Sequence, residues 1–278
     1  MSIDEIISQA LAEDLGDGDH TSLSTIPVDA TRKAKLLAKQ QGVIAGIEVA
    51  RMVFLKVDPN LSFMSFKKDG EQIQPGDIVF EVEGKAQSIL SGERLALNFL
   101  QRMSGIATHT FNLTQLLAGL HTKLLDTRKT TPLLRELEKY AVRMGGGHNH
   151  RKGLYDMILI KDNHIDFAGG IREAINSCRN YLVRQNKSLE IEIEVRNFDE
   201  LNEVLDTGGI NRIMLDNFSP IDLAKAVKMI NGRFETEASG GITEHSIRSY
   251  AETGVDFISV GALTHQIKSL DMSLLATS

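Results

Sequence analysis

The stretch that decides the fold runs from residue 212 to residue 260 and reads RIMLDNFSPIDLAKAVKMINGRFETEASGGITEHSIRSYAETGVDFISV. It holds three short apolar segments, RIMLD, FETEA and DFISV, which end 22 residues apart, and Glu194 in the earlier segment EIEIEV lies 22 residues before Asp216. Each such unit has room for one strand, one turn and one short helix, a spacing typical of parallel βα repetition. Units of this kind close into a barrel or lie in an open, doubly wound sheet.

The segments upstream extend the same pattern. Short apolar runs at residues 122–126, 157–161 and 190–195 each end in a polar or glycine-rich turn. No Gly-x-Gly-x-x-Gly opens a helix after the first of these strands, so the dinucleotide-binding form of the open sheet lacks support. We therefore predict a shortened (β/α) barrel over residues 105–270, with its chemistry at the carboxyl ends of the strands.

The first hundred residues follow a different pattern. Residues 32–89 read mostly as short strands separated by turns. This layout superficially resembles a lipoyl or biotinyl carrier, but Lys85 does not stand in the tip sequence that such carriers modify. Residues 92–102 and 104–120 predict two helices, or one helix interrupted near Gly105.

The composition is that of an ordinary globular protein. Of 278 residues, 42% are hydrophobic and 24% are charged, which excludes disorder as the main state. The length fits two modest domains or one full barrel of about 250 residues. No apolar run approaches about 18 residues, so we expect no membrane span. With Cys178 as the only cysteine and no signal-peptide pattern at the start, we expect a cytoplasmic protein.

The charges are unevenly distributed. The formal net charge is −6, with no Trp and 5% aromatic residues, which is a poor match to a nucleic-acid-binding surface. Residues 121–161 carry nine Lys or Arg against four Asp or Glu, whereas residues 1–120 and 162–278 have net charges of −4 and −7. A basic segment in an acidic protein predicts an anionic small-molecule ligand.

Polar and glycine residues follow the predicted strands, where a barrel places its active site. They are residues 126–130 (DTRKT), Lys161, Glu194, Asp216, residues 239–241 (SGG) and Gly261. The cations follow the earlier strands and the carboxylates follow the later ones, so we expect the end of the barrel to have a basic side and an acidic side. Such a site suits a ligand with carboxylates or phosphates at one end and hydroxyls or a bound divalent cation at the other. The glycines precede a predicted helix at residues 243–252, so we expect a phosphate site at that helix N-terminus.

Three features allow more than one interpretation. His148 and His150 could bind a metal, but no third ligand stands nearby in the sequence, which favours hydrogen-bonding roles. Lys161 stands where the Schiff-base lysine of an aldolase would stand, and it could equally be a permanent cation that binds an anion. Glu192 and Glu194 fall on one face of their strand, and because unpaired buried carboxylates are costly, we expect both to have partners.

Five motifs in register closely resemble the quinolinate phosphoribosyltransferase family, also called carboxylating nicotinate-nucleotide pyrophosphorylases. They are TRKTTP at 127–132, GGGHNHR at 145–151, KDNH at 161–164, LDNF at 215–218 and EASGGI at 237–242. Shorter matches are EDLG at 13–16, GER at 92–94 and SGIAT at 104–108. The resemblance therefore covers essentially the whole chain.

The resemblance implies an α+β organisation before the α/β barrel. An N-terminal open-sheet sandwich would span residues 1–104, and residues 271–278 would return to it. The implied reaction joins quinolinate to 5-phosphoribosyl-1-pyrophosphate with Mg²⁺, and gives nicotinate mononucleotide, pyrophosphate and CO₂ in NAD biosynthesis. The family also implies a homodimer.

By motif match, one set of residues would hold the quinolinate carboxylates. This set comprises Arg128, His150, Arg151 and Lys161, and Arg94 would reach the same site from the neighbouring subunit. Guanidinium groups suit this task because they bind carboxylates bidentately.

A second set would serve the phosphoribosyl donor. Lys129 would face pyrophosphate, and Glu194 and Asp216 would face the ribose hydroxyls and the magnesium ion, so that these three and Lys161 form the expected catalytic group. The residues expected to bind the 5′-phosphate are Ser239, Gly240, Gly241 and Gly261. Arg196 departs from the family pattern, in which a neutral or acidic residue often follows the Glu-Val pair, and this affects the electrostatics near Glu194.

Two rival functions remain at this stage. One is a paralogue within the same family that acts on another pyridine or acidic base. The other is a Schiff-base aldolase that uses Lys161, against which the facing cations Arg128 and Arg151 argue, since both charges belong to an anion site.

Overall fold

The computed structural model describes residues 2–277. The chain forms two compact units. Unit 1 comprises the described residues up to Phe111, Thr130–Gly146 and the described residues from Leu263 onward, and unit 2 comprises Asn112–Lys129 and Gly147–Ala262. The segment Thr130–Gly146 belongs to unit 1, although the strands before and after it in the sequence belong to unit 2.

Unit 1 is a mixed α/β unit built on antiparallel strands. Its strands are β1 (Thr31–Ala38), β2 (Gly42–Val43), β3 (Ser62–Ser65), β4 (Gln72–Ile73), β5 (Ile78–Lys85) and β12 (Met272–Thr277). Its helices are α1 (Ile3–Leu15), α2 (His20–Thr25), α3 (Ile47–Val57) and α5 (Arg135–Met144). Four strands form one sheet in the order β12-β1-β5-β3, and β2 pairs with β4.

The core of unit 1 lies between α3 and the sheet. Phe54 of α3 contacts Phe63 of β3 and Phe80 of β5, with ring centroids 6.2 and 6.1 Å apart. At the sheet edge, β12 pairs with β1 from Lys33↔Thr277 to Ala38↔Met272. The last described residues therefore belong to the same sheet as the first strand.

A long helix, α4 (Ala86–Leu116), begins in unit 1 and ends in unit 2, and α11 (Ala262–His265) also crosses that boundary. Helix α4 runs through Gly105 without a break, so both predicted alternatives are wrong: one helix is present, and it has no interruption at the glycine. A Cβ at Gly105 would lie 2.4 Å from the carbonyl oxygen of Lys268. The glycine is thus required for a close approach between two backbones within unit 1.

Unit 2 contains six parallel strands. They are β6 (Lys123–Leu125), β7 (Ile158–Ile160), β8 (Ile191–Val195), β9 (Arg212–Asp216), β10 (Glu235–Ser239) and β11 (Phe257–Ser259). The helices between them are α6 (Asp162–Ala168), α7 (Ile171–Gln185), α8 (Phe198–Thr207), α9 (Pro220–Ile230) and α10 (Ile247–Ala251).

The strand order shows that unit 2 is a barrel that is not fully closed. Strands β7 to β11 lie side by side in chain order, and β11 pairs with β6, so the last strand of the series pairs with the first. A sheet that curls back on itself gives this order, and the order agrees with the predicted shortened barrel. Between β6 and β7 the described residues form no ladder, and Leu125 at the end of β6 instead forms a single parallel bridge with His148, which precedes β7 in the chain.

Within the part of the chain that the structure describes, none of the helices combines the length and the apolar character that crossing a bilayer demands.

Candidate active site

The carboxyl ends of the strands of unit 2 carry most of the predicted site residues. Because parallel strands end at one rim of a barrel, the loops that follow them share that rim. The predicted residues in these positions are Arg128 and Lys129 after β6, Lys161 directly after β7, Glu194 in β8, Asp216 ending β9, Ser239 ending β10, and Gly261 after β11. Arg94 lies on α4 in unit 1.

Two arginines form a cationic pair in unit 2. Arg128 and Arg151 are half-buried, and the Nε atom of each is buried without a hydrogen-bond partner among the described residues. Burial lowers the pKa of Arg151, and the neighbouring charge of Arg128 lowers it further. The Arg151 guanidinium donates from Nη1 to the carbonyl oxygen of Met157, at 3.3 Å. Two close guanidinium groups with unused donors favour a ligand that carries more than one carboxylate.

The second cluster joins Lys161, Glu194 and Asp216. The Lys161 ammonium donates to the carboxylate of Glu194, which is almost fully buried. Burial raises the pKa of Asp216, and the charge of Glu194 raises it further, while Lys161 opposes the shift. The expected partner for Glu194 is thereby confirmed, and the two carboxylates lie close enough to influence each other.

Asn217 connects this cluster to the glycine loop after β10. Its side-chain amide donates to Asp216 Oδ2 at 2.6 Å, and its backbone N–H donates to the carbonyl oxygen of Ser239 at 2.9 Å. Gly240 packs directly against it, with a left-handed φ of +97°. The loops that follow β9 and β10 are therefore fixed to each other.

The predicted helix N-terminus at the glycine loop is not present in that form. Helix α10 spans Ile247–Ala251 and begins six residues after Gly241, because Thr243 first accepts from the backbone N–H of Ser246 in a turn. Donors for a phosphate must therefore come from the backbone N–H groups of the loop itself, where Gly240 and Gly241 both have positive φ.

Gly240→Ala is expected to disrupt this loop. A Cβ would lie 2.2 Å from Asn217 Oδ1 and 2.9 Å from Asn217 N, so the loop or Asn217 must move and the left-handed φ adds strain. We expect the KM for 5-phosphoribosyl-1-pyrophosphate to rise by roughly tenfold or more, while the quinolinate affinity changes little. Gly232→Ala is the matched control, because its φ is also left-handed, +70°, but no atom lies within 4 Å of its Cβ position. Equal effects of the two changes on that KM would contradict the assignment.

A group of buried charged residues lies on strands β8, β9 and β10. The sequence predicted only some of its members. Glu192 and Glu237 are 0% exposed. His150 Nε2 lies 2.9 Å from Glu192 Oε2 and 3.5 Å from Glu237 Oε2, and Arg212 Nη1 donates to Glu237 Oε2 at 3.2 Å. Glu192 thus has His150 at ion-pair distance, although neither of its carboxylate oxygens forms a hydrogen bond with the described residues. Burial raises the pKa of both glutamates, and the charge of Glu192 raises that of Glu237 further.

Sequence reasoning missed Glu237 and Arg212 as members of this group. Period-two alternation of charged with apolar residues could have indicated them, since Glu237 alternates with Thr236 and Ala238 in β10, as Glu192 does with isoleucines in β8. The ligand atoms of His150, Glu192 and Glu237 all lie within 4.8 Å of one another, as a metal site requires. Arg212 already supplies positive charge there, which weakens the case for a metal.

Two other predicted features are placed as follows. Lys129 is exposed, and its backbone N–H donates to Thr127 Oγ1 at 3.0 Å in a tight turn. Arg196 donates through Nη2 to Glu200 Oε1 at 2.6 Å. Because Glu200 balances the charge of Arg196, this departure from the family pattern leaves the Lys161–Glu194 pair intact.

Two family models together match nearly the whole chain. One, described as the C-terminal domain of quinolinate phosphoribosyl transferase, matches residues 106–275. The other, described as the N-terminal domain of the same enzyme, matches residues 19–104.

Individual relatives agree with the family models. Decarboxylating quinolinate phosphoribosyltransferase 1b of Nicotiana tabacum is 46% identical over 284 residues, which cover 97% of this chain and 81% of the relative. A probable carboxylating nicotinate-nucleotide pyrophosphorylase of Bacillus subtilis is 42% identical and covers 100% of this chain and 94% of its own length. The crystal structure of NadC from Streptococcus pyogenes superimposes with a TM-score of 0.94 at 40% identity, over 99% of this chain and 96% of that one.

Proposed function

The chain belongs to the quinolinate phosphoribosyltransferase family, and from that premise we propose that it transfers the phosphoribosyl group of 5-phosphoribosyl-1-pyrophosphate to quinolinate. The reaction releases pyrophosphate and CO₂ and gives nicotinate mononucleotide, a step of NAD biosynthesis. The observation that carries this assignment is the pair Arg128 and Arg151, whose buried Nε donors have no partner among the described residues. A pyridine with two adjacent carboxylates supplies the two anionic groups that such a pair needs.

The bond changes explain why carboxylates lie beside this cationic pair. Departure of pyrophosphate breaks the bond at C1 of the ribose and leaves positive, oxocarbenium-like charge there. Glu194 and Asp216 would stabilise that charge, and Lys129 would neutralise the leaving group. The backbone of Ser239, Gly240, Gly241 and Gly261 would hold the 5′-phosphate.

Decarboxylation requires no organic cofactor. The pyridine nitrogen attacks C1 and becomes a positively charged pyridinium. When the bond between ring C2 and the 2-carboxylate breaks, CO₂ leaves and the electron pair remains at C2, where the adjacent positively charged nitrogen stabilises it. C2 then takes a proton from water, which gives nicotinate mononucleotide. Arg128 and Arg151 would orient the carboxylates, and Lys161 would supply a further fixed charge.

Glu194 and Asp216 also suit Mg²⁺, which we include in the proposal. Magnesium prefers oxygen ligands and is commonly held by one or two carboxylates together with substrate phosphates. Burial, and then the nearby charge of Glu194, raise the pKa of Asp216, which places the two acids close enough to share a cation. When bound, Mg²⁺ would neutralise charge on the departing pyrophosphate.

Turnover with the candidate substrates tests the function. The protein would be incubated with quinolinate, 5-phosphoribosyl-1-pyrophosphate and Mg²⁺, and release of CO₂ and the mononucleotide would be measured with nicotinate as the alternative substrate. We expect turnover of quinolinate and little of nicotinate. Turnover of nicotinate but not quinolinate would assign the chain to a paralogous activity instead.

The aldolase alternative is disfavoured by the contact of Lys161. A Schiff-base lysine must be neutral to attack a carbonyl. Lys161 Nζ is paired with the Glu194 carboxylate, so this nitrogen is already engaged by a carboxylate.

We further propose a homodimer in which Arg94 completes the partner's site. Arg94 is exposed on α4, between the buried residues Gly92 and Leu95, and its motif matches the family position. We also place the enzyme in the cytoplasm, without nucleic-acid or membrane partners, which agrees with its acidic charge and its single free Cys178.

Complementation between inactive variants tests the shared site. Arg94→Ala and Arg151→Ala proteins are each expected to be nearly inactive, but when they are co-expressed, half the dimers are mixed and each mixed dimer has one intact site. About a quarter of wild-type activity should therefore return. Absence of recovery in purified mixed dimers would show that Arg94 acts within its own subunit or not at all.

A further inference from the structure

We infer that Asp126 is a positioning residue, whose carboxylate holds residues 148–151 against the end of β6 and so sets the spacing of Arg128 and Arg151 for the substrate. The inference rests on the proposed function. Asp126 directly follows β6 and is 0% exposed, and the family motifs gave it no role.

Asp126 lies where the backbone bridge between β6 and the segment before β7 ends. The N–H of His148 donates to the carbonyl oxygen of Leu124 at 2.8 Å, and the N–H of Asp126 donates to the carbonyl oxygen of His148 at 3.1 Å. A regular parallel ladder would continue with a bond from the N–H of His150 to the carbonyl oxygen of Asp126. In this structure the N–H of His150 donates to Asp126 Oδ1 at 2.8 Å. The carboxylate thus supplies the acceptor at the point where the ladder stops.

The second oxygen of the same carboxylate is also a hydrogen-bond acceptor. The side-chain amide of Asn149 donates to Asp126 Oδ2 at 2.6 Å. One buried side chain therefore holds two consecutive residues, Asn149 and His150, on the side of β6 where β6 and β7 share no ladder. Because a buried donor that loses its acceptor carries the full cost of its desolvation, these contacts resist separation of the two segments.

Both segments that Asp126 joins lead directly to a cation of the site. Arg128 lies two residues after Asp126, and Arg151 directly follows His150. Burial lowers the pKa of Arg151 and the charge of Arg128 lowers it further, so the two guanidinium groups repel each other in the free enzyme. That repulsion favours separation of the two segments, and the contacts of Asp126 oppose it. The substrate therefore meets a pair whose spacing is already set, which lowers the entropic cost of binding.

Exchange of the carboxylate and the amide between positions 126 and 149 tests this role. In Asp126→Asn an NH₂ group replaces one acceptor oxygen, so either the N–H of His150 or the amide of Asn149 loses its acceptor. We expect the quinolinate Kd, measured by titration calorimetry, to rise roughly tenfold or more. In the double variant Asp126→Asn/Asn149→Asp the new amide can donate to the new carboxylate while its oxygen accepts from His150. The Kd should therefore return to within about threefold of wild type.

Asp256→Asn is the matched control, because Asp256 makes the same kind of contact at the opposite ends of the strands. Its Oδ2 accepts from the backbone N–H of Thr236 at 2.9 Å, where β10 and β11 begin. Whatever its effect on the melting temperature, this change should leave the quinolinate Kd within about threefold of wild type.

Three results would overturn the inference. They are wild-type quinolinate affinity in Asp126→Asn, a double variant that binds no better than Asp126→Asn, and an equal loss of affinity in Asp256→Asn. Asn149→Ala removes only one of the two side-chain contacts and serves as a milder variant if Asp126→Asn does not fold. Its quinolinate Kd should rise about three- to tenfold, and an unchanged Kd would contradict the inference.

Amide hydrogen exchange without substrate separates failure of the inference from failure of the proposed function. We expect exchange at residues 148–151 to be roughly tenfold or more faster in Asp126→Asn than in wild type, because the segment loses its attachment to β6. Asp256→Asn should leave exchange there unchanged. Unchanged exchange in Asp126→Asn would contradict the inference even if turnover of quinolinate were normal. Faster exchange in a protein whose wild type does not bind quinolinate would support the attachment and reject the proposed function.

Discussion

Arg151→Ala is expected to weaken quinolinate binding by roughly 10²–10³-fold while the fold persists, which corresponds to about 3–4 kcal/mol. The guanidinium is half-buried, its Nε has no partner among the described residues, and Arg128 lies near enough to lower its pKa. The free enzyme therefore holds two repelling cations whose unfavourable interaction a dicarboxylate relieves. Removing one cation should lower affinity and leave thermal stability unchanged or slightly higher.

Titration calorimetry with quinolinate, together with melting curves, measures both parts of this expectation. Arg128→Ala should behave similarly, since it is the other member of the pair. Arg184→Ala, at an exposed position on α7, is the control for loss of one positive charge. Unchanged quinolinate affinity in both Arg151→Ala and Arg128→Ala would remove the basis for the proposed substrate.

Glu194→Gln is expected to lower kcat by roughly 10²–10³-fold, with a smaller change in quinolinate affinity. Removal of one group that stabilises transition-state charge typically has an effect of that size. The change keeps the side-chain shape but removes the charge that faces Lys161 and influences Asp216. Because positive charge develops at the ribose only during reaction, the loss should fall mainly on kcat.

Steady-state kinetics with saturating substrates tests this second expectation. Glu190→Gln is the matched control, because Glu190 precedes the same strand at the same alternation but is exposed. A kcat within about threefold of wild type for Glu194→Gln would mean that Glu194 only holds Lys161 in position. In that case the quinolinate KM should carry the effect instead.

Much of the fold of unit 2 could be predicted because the spacing of its strands can be counted along the sequence. The 22-residue spacing predicted strands β8 to β11 in their order along the chain. The predicted ends of the strands then indicated Lys161, Glu194 and Asp216 as site residues without any knowledge of the substrate. A parallel barrel repeats one unit, so spacing along the chain translates directly into neighbouring positions in space.

The remainder depends on contacts that chain spacing does not encode. His150 contacts Glu192 and Glu237 on two different strands, and which ring nitrogen faces them is decided only in three dimensions. Gly105 read as a helix interruption because glycine is a poor helix former. Its actual role depends on the backbone of Lys268, which approaches from far along the chain.

The pairing of β12 with β1 has a consequence for synthesis on the ribosome. Lys33 and Thr277, which this ladder joins, are 244 residues apart, so at about 5–20 residues per second the partner strand appears roughly 12–50 s after β1. During that interval β1 has an uncovered edge, which can pair with other nascent chains. Lys33 and Lys35 of β1 form ion pairs with Glu81 and Glu83 of β5. Charged side chains therefore line this part of the sheet, and we expect them to disfavour pairing of the open edge with other chains until β12 arrives.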